Sequence, residues 1–437
     1  MAEISADASR SEIRESPRNT ICFFVFGILS LFYDTLTITA AEDVLSGSEI
    51  PTAAVSIAMA ASVLGLKITA SWFLQKFSYM LKICLSVLLL FVGLIVFVSA
   101  PNVHSRLLGI MVMESGISLG EITFLAMTAS YQEVTVIALV AGIGVAYLLG
   151  PFYYAGLTTW LCLASRTTIS TTIPWLLLIL ITYYILEKKE IDSITKEDAG
   201  VEYKQLPSSE KTPLDEAPTS PEHGLSWKEK FSVARQILPY VNSSFLTYFA
   251  AYLSTQSIIT TLTFSNSSFT PRDHYQYYII CYQVGEFLGR SHIFLLSCTC
   301  SKVVPYVRVE ETWIFAVVEI AHLMFFIFAT WFRFVPHVSI VLIFCATGGF
   351  VAGSMYVNSA HTVFKVFSDP KQREFALGLL TIGNDVGQLT AGLVGLHVEP
   401  QLKIHCVYDL ELDDHCITRH RTEAGWATNT QCSSTAL

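Results

Sequence analysis

The sequence predicts an all-α polytopic membrane protein built as two helical blocks, and three observations carry that expectation. About 11 apolar runs fill most of the chain, each near the roughly 20 residues that a helix needs to cross hydrocarbon. Composition agrees, with 52% hydrophobic and 14% charged residues in a chain of 437, against roughly 25% charge in an ordinary soluble domain. The runs fall into two groups, about six before and about five after a long charged stretch that ends near residue 237.

Taken in order, residues 1–19 mix Arg10, Arg14 and Arg18 with acids and hold no apolar core. They read as a polar tail ahead of a signal anchor, not as a cleaved signal. The first block, 20–187, has expected spans at about 20–41, 53–74, 80–100, 107–129, 134–158 and 173–186, the last being short. Residues 188–237 turn to Lys, Glu, Ser and Pro, with Pro207, Pro213, Pro218 and Pro221 along them. Such composition builds no packed core, and the segment is expected to be a disordered linker. The second block, 238–397, has spans at about 238–264, 275–296, 312–331, 336–357 and 376–396, and 398–437 form a tail. Six spans, a linker and a second similar block are the layout of a parallel-repeat transporter of the major facilitator kind, two lobes with a substrate site between them.

The formal charge of -9 comes from acids outside the spans, ten of them between Glu190 and Glu229, so no nucleic-acid partner is expected. Of the 27 Lys and Arg, 18 fall on one side of the expected spans and 7 on the other, with Lys67 and Arg290 inside them. The excess places the N-terminus and linker in the cytosol and the tail opposite. The sequon at Asn266 falls on the tail's side and is a glycosylation candidate, whereas the one at Asn242 lies inside a span. Cys406, Cys416 and Cys432 share the tail, where an oxidising compartment permits a disulfide. His405-Cys406 and His415-Cys416 have zinc-ligand residue types, but a disulfide or a disordered tail is the simpler reading, and neither metal nor cofactor is expected. In the linker, Tyr203-Lys204-Gln205-Leu206 has the tyrosine-x-x-apolar form that clathrin adaptors read as an extended peptide, a chance match being the alternative.

An ionisable side chain within a span is costly unless paired or solvated, and so marks a pathway. Lys67 in span 2 and Arg290 in span 8 sit at equivalent depths, so they are expected either to face one another and bind an anionic group, or to have bland roles. In the bland case Lys67 pairs with an intramembrane acid and Arg290 snorkels. Asp34, Glu114, Glu121, Glu286, Glu319 and Asp385 are the acids available. Pathway candidates are Lys67, Glu121, Gln283, Arg290, Asn358, His361 and Asp385. Gly120, Gly142, Gly144, Gly150 and the pair Gly349 and Gly353 read as close-packing positions. The absence of His-Glu-x-x-His, Gly-x-Ser-x-Gly and Walker motifs argues against an enzyme.

Ser118 to Phe124, Tyr248-Phe249-Ala250, Tyr282-Gln283-x-Gly285-x-Phe287-x-x-Arg290-Ser291 and Tyr356-Val357-Asn358 through Arg373-Glu374-Phe375-Ala376 run in order along the chain. In these segments, and more weakly at Ala40-Ala41 with Asp43, Thr52 to Val55 and Lys67, the chain resembles the battenin family of lysosomal membrane proteins from about residue 20 to 397. The resemblance implies a major-facilitator-like fold, residence in late endosomes and lysosomes, and a role in lysosomal homeostasis. It also implies links to glycerophosphodiester efflux, to basic amino acid and pH balance, and to vesicle traffic. Three family carboxylates are replaced here, by Met59, Ala251 and Gly348, while Glu114 and Glu286 are additional acids. The leading expectation is a lysosomal carrier of a small anionic or zwitterionic metabolite, whose partners are the lipid bilayer and that solute. The competing one is a non-transporting scaffold that regulates vesicle traffic through its linker.

Overall fold

The computed structural model describes residues 16–73, 77–128, 131–188, 225–300, 302–412, 415–419, 422 and 424–428. Tyr203, Leu206 and Cys432 lie outside the described residues. Among those described the chain is helical throughout, with no strand.

The first lobe comprises α1 (Pro17–Val44), α2 (Ala53–Phe73), α3 (Tyr79–Ser99), α4 (Val103–Thr128) and α5 (Glu133–Ala155), followed by a broken sixth crossing. That crossing is α6 (Ser165–Ser170), a tight turn at Ile173–Trp175 and α7 (Leu176–Ile185). Pro174 has no N–H to give, and the Thr171 and Thr172 hydroxyls turn back onto the Thr168 and Ile169 carbonyls, so the helix restarts at Leu176. Its polar first half explains why the apolar run looked short.

The second lobe opens with α8 (Trp227–Leu253), which begins inside the stretch expected to be linker. Ser226 accepts from the Glu229 N–H while the Glu229 carboxylate accepts from the Ser226 N–H, a reciprocal cap that starts the helix ahead of its apolar run. Then follow α9 (Pro271–Thr299), the single turn α10 (Val304–Val307), α11 (Trp313–Phe332), α12 (Val338–Val366) and α13 (Pro370–Ile404), with α14 (Ala424–Ala427) in the tail. Among the described residues, seven helical segments are long and apolar enough to cross a membrane by length and composition alone, and α2 adds a shorter apolar stretch. The helices α8, α9 and α13 fall short because they bury polar residues such as Ser244, Thr247, Gln276 and Glu286 within the bundle. Leu85, Leu88 and Phe91 on α3, and Val317, Met324 and Phe328 on α11, point outward where lipid would lie.

Packing repeats between the lobes. In the first, α1 lies on α5 and α2 on α4; in the second, α8 lies on α13 and α9 on α12. Across the divide α2 meets α13 and α9 meets α5. Numbering the crossings in chain order, a shift of six turns the contact of 2 with 11 into that of 8 with 5, the signature of two parallel repeats about an axis along the membrane normal. α5, α8 and α13 each finish in a wide turn, at Gly156–Trp160, Ser254–Ile258 and His405–Asp409, all at the end of the bundle that carries the tail. The opposite end, from which the linker leaves, is the linker end.

The closest contacts are backbone to backbone. A Cβ on Gly142 would overlap the Phe24 carbonyl, and one on Gly27 the Leu139 carbonyl, so α1 and α5 touch without side chains between them. Gly285 and Gly349 do the same for α9 and α12. Gly144 meets only the Phe287 ring at ordinary distance, 3.6 Å. Gly142→Val is therefore expected to cost about 1–3 kcal/mol or more by overpacking, read as a lowered melting temperature of the purified protein, while Gly144→Ala should leave it within error.

Candidate functional site

Ionisable residues converge where the lobes meet. Lys67 on α2 donates to Asp385 on α13, Nζ to Oδ2 at 2.8 Å, which is an ion pair between lobes, with the side chains 18% and 14% exposed. Beside it Ser244 of α8 donates to the Asn384 amide oxygen. Glu121 on α4 and Tyr356 on α12 are within electrostatic range of the lysine. Asp34 on α1 is within range of Glu121, Glu286, Asp385 and Lys67.

Arg290 on α9 is held differently. Its Nε and Nη2 donate to Glu286 Oε1 at 3.1 and 2.7 Å, and Nη2 reaches the Tyr248 hydroxyl at 3.3 Å. The guanidinium lies over the Tyr147 ring from the first lobe, 4.7 Å away, and the Tyr356 ring, 4.1 Å away. Delocalised charge over aromatic faces is a stable arrangement for Arg. The snorkelling expected as one option is thus overturned: the side chain is enclosed by rings from α5, α8 and α12. Nor do Lys67 and Arg290 stand as two unpaired cations face to face, since each is already neutralised by a carboxylate.

Between these groups a cavity of about 20 Å³ is lined by Asp34 and Tyr147 from the first lobe and by Tyr252, Tyr282, Gln283 and Glu286 from the second, among others. Gln283 Oε1 and Gln256 Nε2 are buried there without hydrogen-bond partners. Such a volume is about that of one water probe, so the chamber is shut in this conformation. Asn358 and His361 are placed elsewhere, at the linker end of α12. Asn358 accepts from the Val309 N–H at 3.0 Å and donates to the Ser354 carbonyl at 2.8 Å. Both line a separate pocket of about 290 Å³ with Tyr240, Arg308 and Lys365.

Sequence reasoning missed the residues that close the tail end. Arg272 at the start of α9 grips Asp43 at the end of α1 through Nε at 2.7 Å and Nη2 at 2.5 Å, and the Tyr154 and Ser165 hydroxyls donate to the same carboxylate. A second cluster centres on Arg419 of the tail, which donates to Glu42 at 2.9 Å, to Glu399 at 2.8 Å and to Thr52 at 2.7 Å. Burial works against its charge, but Glu42 and Glu399 outweigh that and hold its proton more tightly than usual. The tail is pinned by a Cys406–Cys416 disulfide, by Thr418 donating to the Thr260 carbonyl, and by Trp426 stacked on Phe97. So the described part of the tail is packed onto the bundle and disulfide-linked, and no His, Cys, Asp or Glu group fit for a metal occurs among the described residues. The only sequence signal was the isolation of Arg272, with no other Lys or Arg between residues 236 and 289, whereas nothing set Arg419 apart from Arg421.

The CLN3 protein family model matches residues 21–405. The chain belongs to that family. It is 26% identical to battenin of Canis lupus familiaris over 87% of this chain and 90% of the relative, and 29% identical to Protein BTN1 of Yarrowia lipolytica over 89% and 95%. Two solved folds are similar across nearly the whole chain. A bacterial homolog of the human lysosomal transporter Spinster, inward-facing and unoccupied, gives a TM-score of 0.57 at 11% identity over 94% of this chain and 88% of its own. The nucleoside transporter NupG gives 0.56 at 12% over 95% and 97%. The protein is a multi-pass membrane protein with a major-facilitator-like two-lobe fold. Where the battenin resemblance implies a carboxylate at position 348, Glu319 of α11 fills the place: its Oε1 lies 3.3 Å from where a Cβ on Gly348 would be.

The interlobe pair makes a test. Lys67→Gln leaves Asp385 without its cation and is expected to destabilise by about 1–3 kcal/mol, less than the 3–5 of a fully buried pair because water reaches both groups. Adding Asp385→Asn should recover part of that loss in thermal unfolding; a strictly additive double variant would show that the pair does not join the lobes.

Proposed function

We propose that the protein is a lysosomal or late-endosomal solute carrier that moves a small anionic or zwitterionic metabolite by alternating access and supports lysosomal homeostasis and pH. The observation that carries this reading is the chamber that both lobes line, with Asp34 and Tyr147 on one side and Tyr252, Tyr282, Gln283 and Glu286 on the other. A chamber built by both lobes is exposed to either face when the lobes rock about it. The charge pattern favours a solute with both signs. Lys67 and Arg290 offer cation to an anionic group once their carboxylates swing away, and the acids with the tyrosine faces suit an ammonium group. A glycerophosphodiester such as glycerophosphocholine meets both demands and matches the class that the battenin resemblance implies. No catalytic step is part of this reading. Tyr203 and Leu206 are assigned the sorting role, through a clathrin adaptor.

Reconstituted vesicles loaded with glycerophosphocholine provide the test. Arg290→Gln removes the group enclosed by Tyr147, Tyr248 and Tyr356 and is expected to lower exchange per folded protein about tenfold or more. The melting temperature, which falls because Glu286 loses its cation, should recover when Glu286→Gln is added. Unchanged exchange would remove Arg290 from the solute's path.

We place the N-terminus in the cytosol and the tail in the lumen. Asn266 is exposed in the loop at the tail end, its amide donating to the Pro336 carbonyl at 2.9 Å. Asn242 lies within α8. Glycosidase is expected to shift the wild-type band on a gel and to leave Asn266→Gln unshifted, and a shift that persists in that variant would argue against this orientation of the second lobe.

A further inference from the structure

Glu114 on α4 is an acid that the interlobe site does not use. It is 0% exposed, and neither carboxylate oxygen has a hydrogen-bond partner. An ionised carboxylate so placed, with no cation and no donor, costs several kcal/mol or more, so the group carries a proton in this conformation. Four residues on, Ser118 is 1% exposed and its hydroxyl is also without a partner. Three further on is Glu121, half-buried and within electrostatic range of Lys67. Spacings of four and three put Glu114, Ser118 and Glu121 on one face of the helix, a row about 10 Å long. It runs from the packed interior of the first lobe to the interlobe pair.

Among the described residues, the surroundings of this row contain one cation. Asp34 on α1 acts on Glu114, and Lys67 on α2 acts on both Asp34 and Glu121. On α3 the nearest polar group, Ser86, is spent on the Gly116 carbonyl at 2.7 Å. No charged group of α3 or α5 is in range of Glu114 among the described residues. Here Lys67 is committed to Asp385, which belongs to the other lobe. When the lobes part, Asp385 leaves with α13, and Lys67 stays with α2 beside Glu121.

We propose that Glu114 is the proton-binding site of the carrier and that Ser118 and Glu121 connect it to the lobe interface. Neither the Glu114 carboxyl nor the Ser118 hydroxyl has a partner here, so the relay closes when the Ser118 side chain turns between the two carboxyls. The Glu114 O–H then donates its proton to the Ser118 oxygen, which passes its own to the Glu121 carboxylate. From there the proton leaves to water once Lys67, freed of Asp385, turns to Glu121 and offsets the negative charge left on the row. One proton is released for each time the Lys67–Asp385 pair opens, and one returns when it closes. The coupling rests on the transport reading above, whereas proton binding by Glu114 does not.

Two measurements separate the two. Infrared difference spectra of the reconstituted protein between acid and alkaline buffer should contain the C=O stretch of a protonated carboxyl that shifts in heavy water, is missing in Glu114→Gln and returns in Glu114→Asp. An identical spectrum for Glu114→Gln overturns the proton site whether or not the protein transports. In vesicles, with glycerophosphocholine as probe, Glu114→Gln should keep exchange at equal pH within about twofold and lose about tenfold or more of the accumulation driven by a pH gradient; Glu114→Asp should keep both. Gradient-driven accumulation by Glu114→Gln equal to wild type, or loss of exchange and accumulation together, overturns the coupling. Wild-type vesicles that exchange no probe count against the transport reading for that solute, and the infrared result then decides the proton site alone.

Discussion

Charge inside a bilayer has to be answered by the protein itself, and this constraint organises the bundle. Water does not reach the middle of the spans to solvate Lys67 or Arg290 fully, so each carries its own counter-charge, Asp385 from the facing lobe and Glu286 one turn away on the same helix. The first choice ties the lobes together. The second frees the guanidinium to rest against Tyr147 and Tyr356, which again come from opposite lobes. For Lys67, neutralisation and lobe contact are therefore the same event, whereas Arg290 keeps its counter-charge when the lobes separate.

Close backbone packing makes that economy workable. Where α1 crosses α5 and α9 crosses α12, glycines bring main chain against main chain, and lipid offers no hydrophobic drive to replace such contact. Each lobe is thereby a rigid block, and relative movement concentrates in the less apolar seam of α2 with α13 and α5 with α9.

Much of this architecture was legible in the sequence, because hydrocarbon imposes length and apolarity on any crossing helix. The positions of α1 to α5 and of α11 and α12 follow from their runs alone. The broken sixth crossing and the early start of α8 were harder, since Pro174 with its threonine hydroxyls and the Ser226–Glu229 cap are local hydrogen-bonding devices that hydropathy does not register. At the seam, sequence singled out Lys67, Glu121, Arg290 and Asp385, which the fold gathers there, but not their pairings. Lys67 and Asp385 are 318 positions apart, and only the two-lobe arrangement brings them together. Asn358 and His361 shared a motif with Tyr356, yet helix geometry carries them past the seam to the linker end. The Arg419 cluster was the least legible, because nothing in a tail of mixed composition tells which of its arginines will be buried.

The clusters at the tail end make the two ends of the bundle unequal. Opening that end requires Asp43 to release Arg272 and requires Glu42 and Glu399 to release Arg419, all of them buried partners, with a disulfide-braced strap lying across the breach. Parting at the level of Lys67 requires one partly exposed pair to yield, together with the contact of Arg290 with the Tyr147 ring. For the carrier proposed above, two half-cycles with such different barriers would not share time equally: it would dwell with its tail end latched, and the pace of turnover would be set by how often the latch fails.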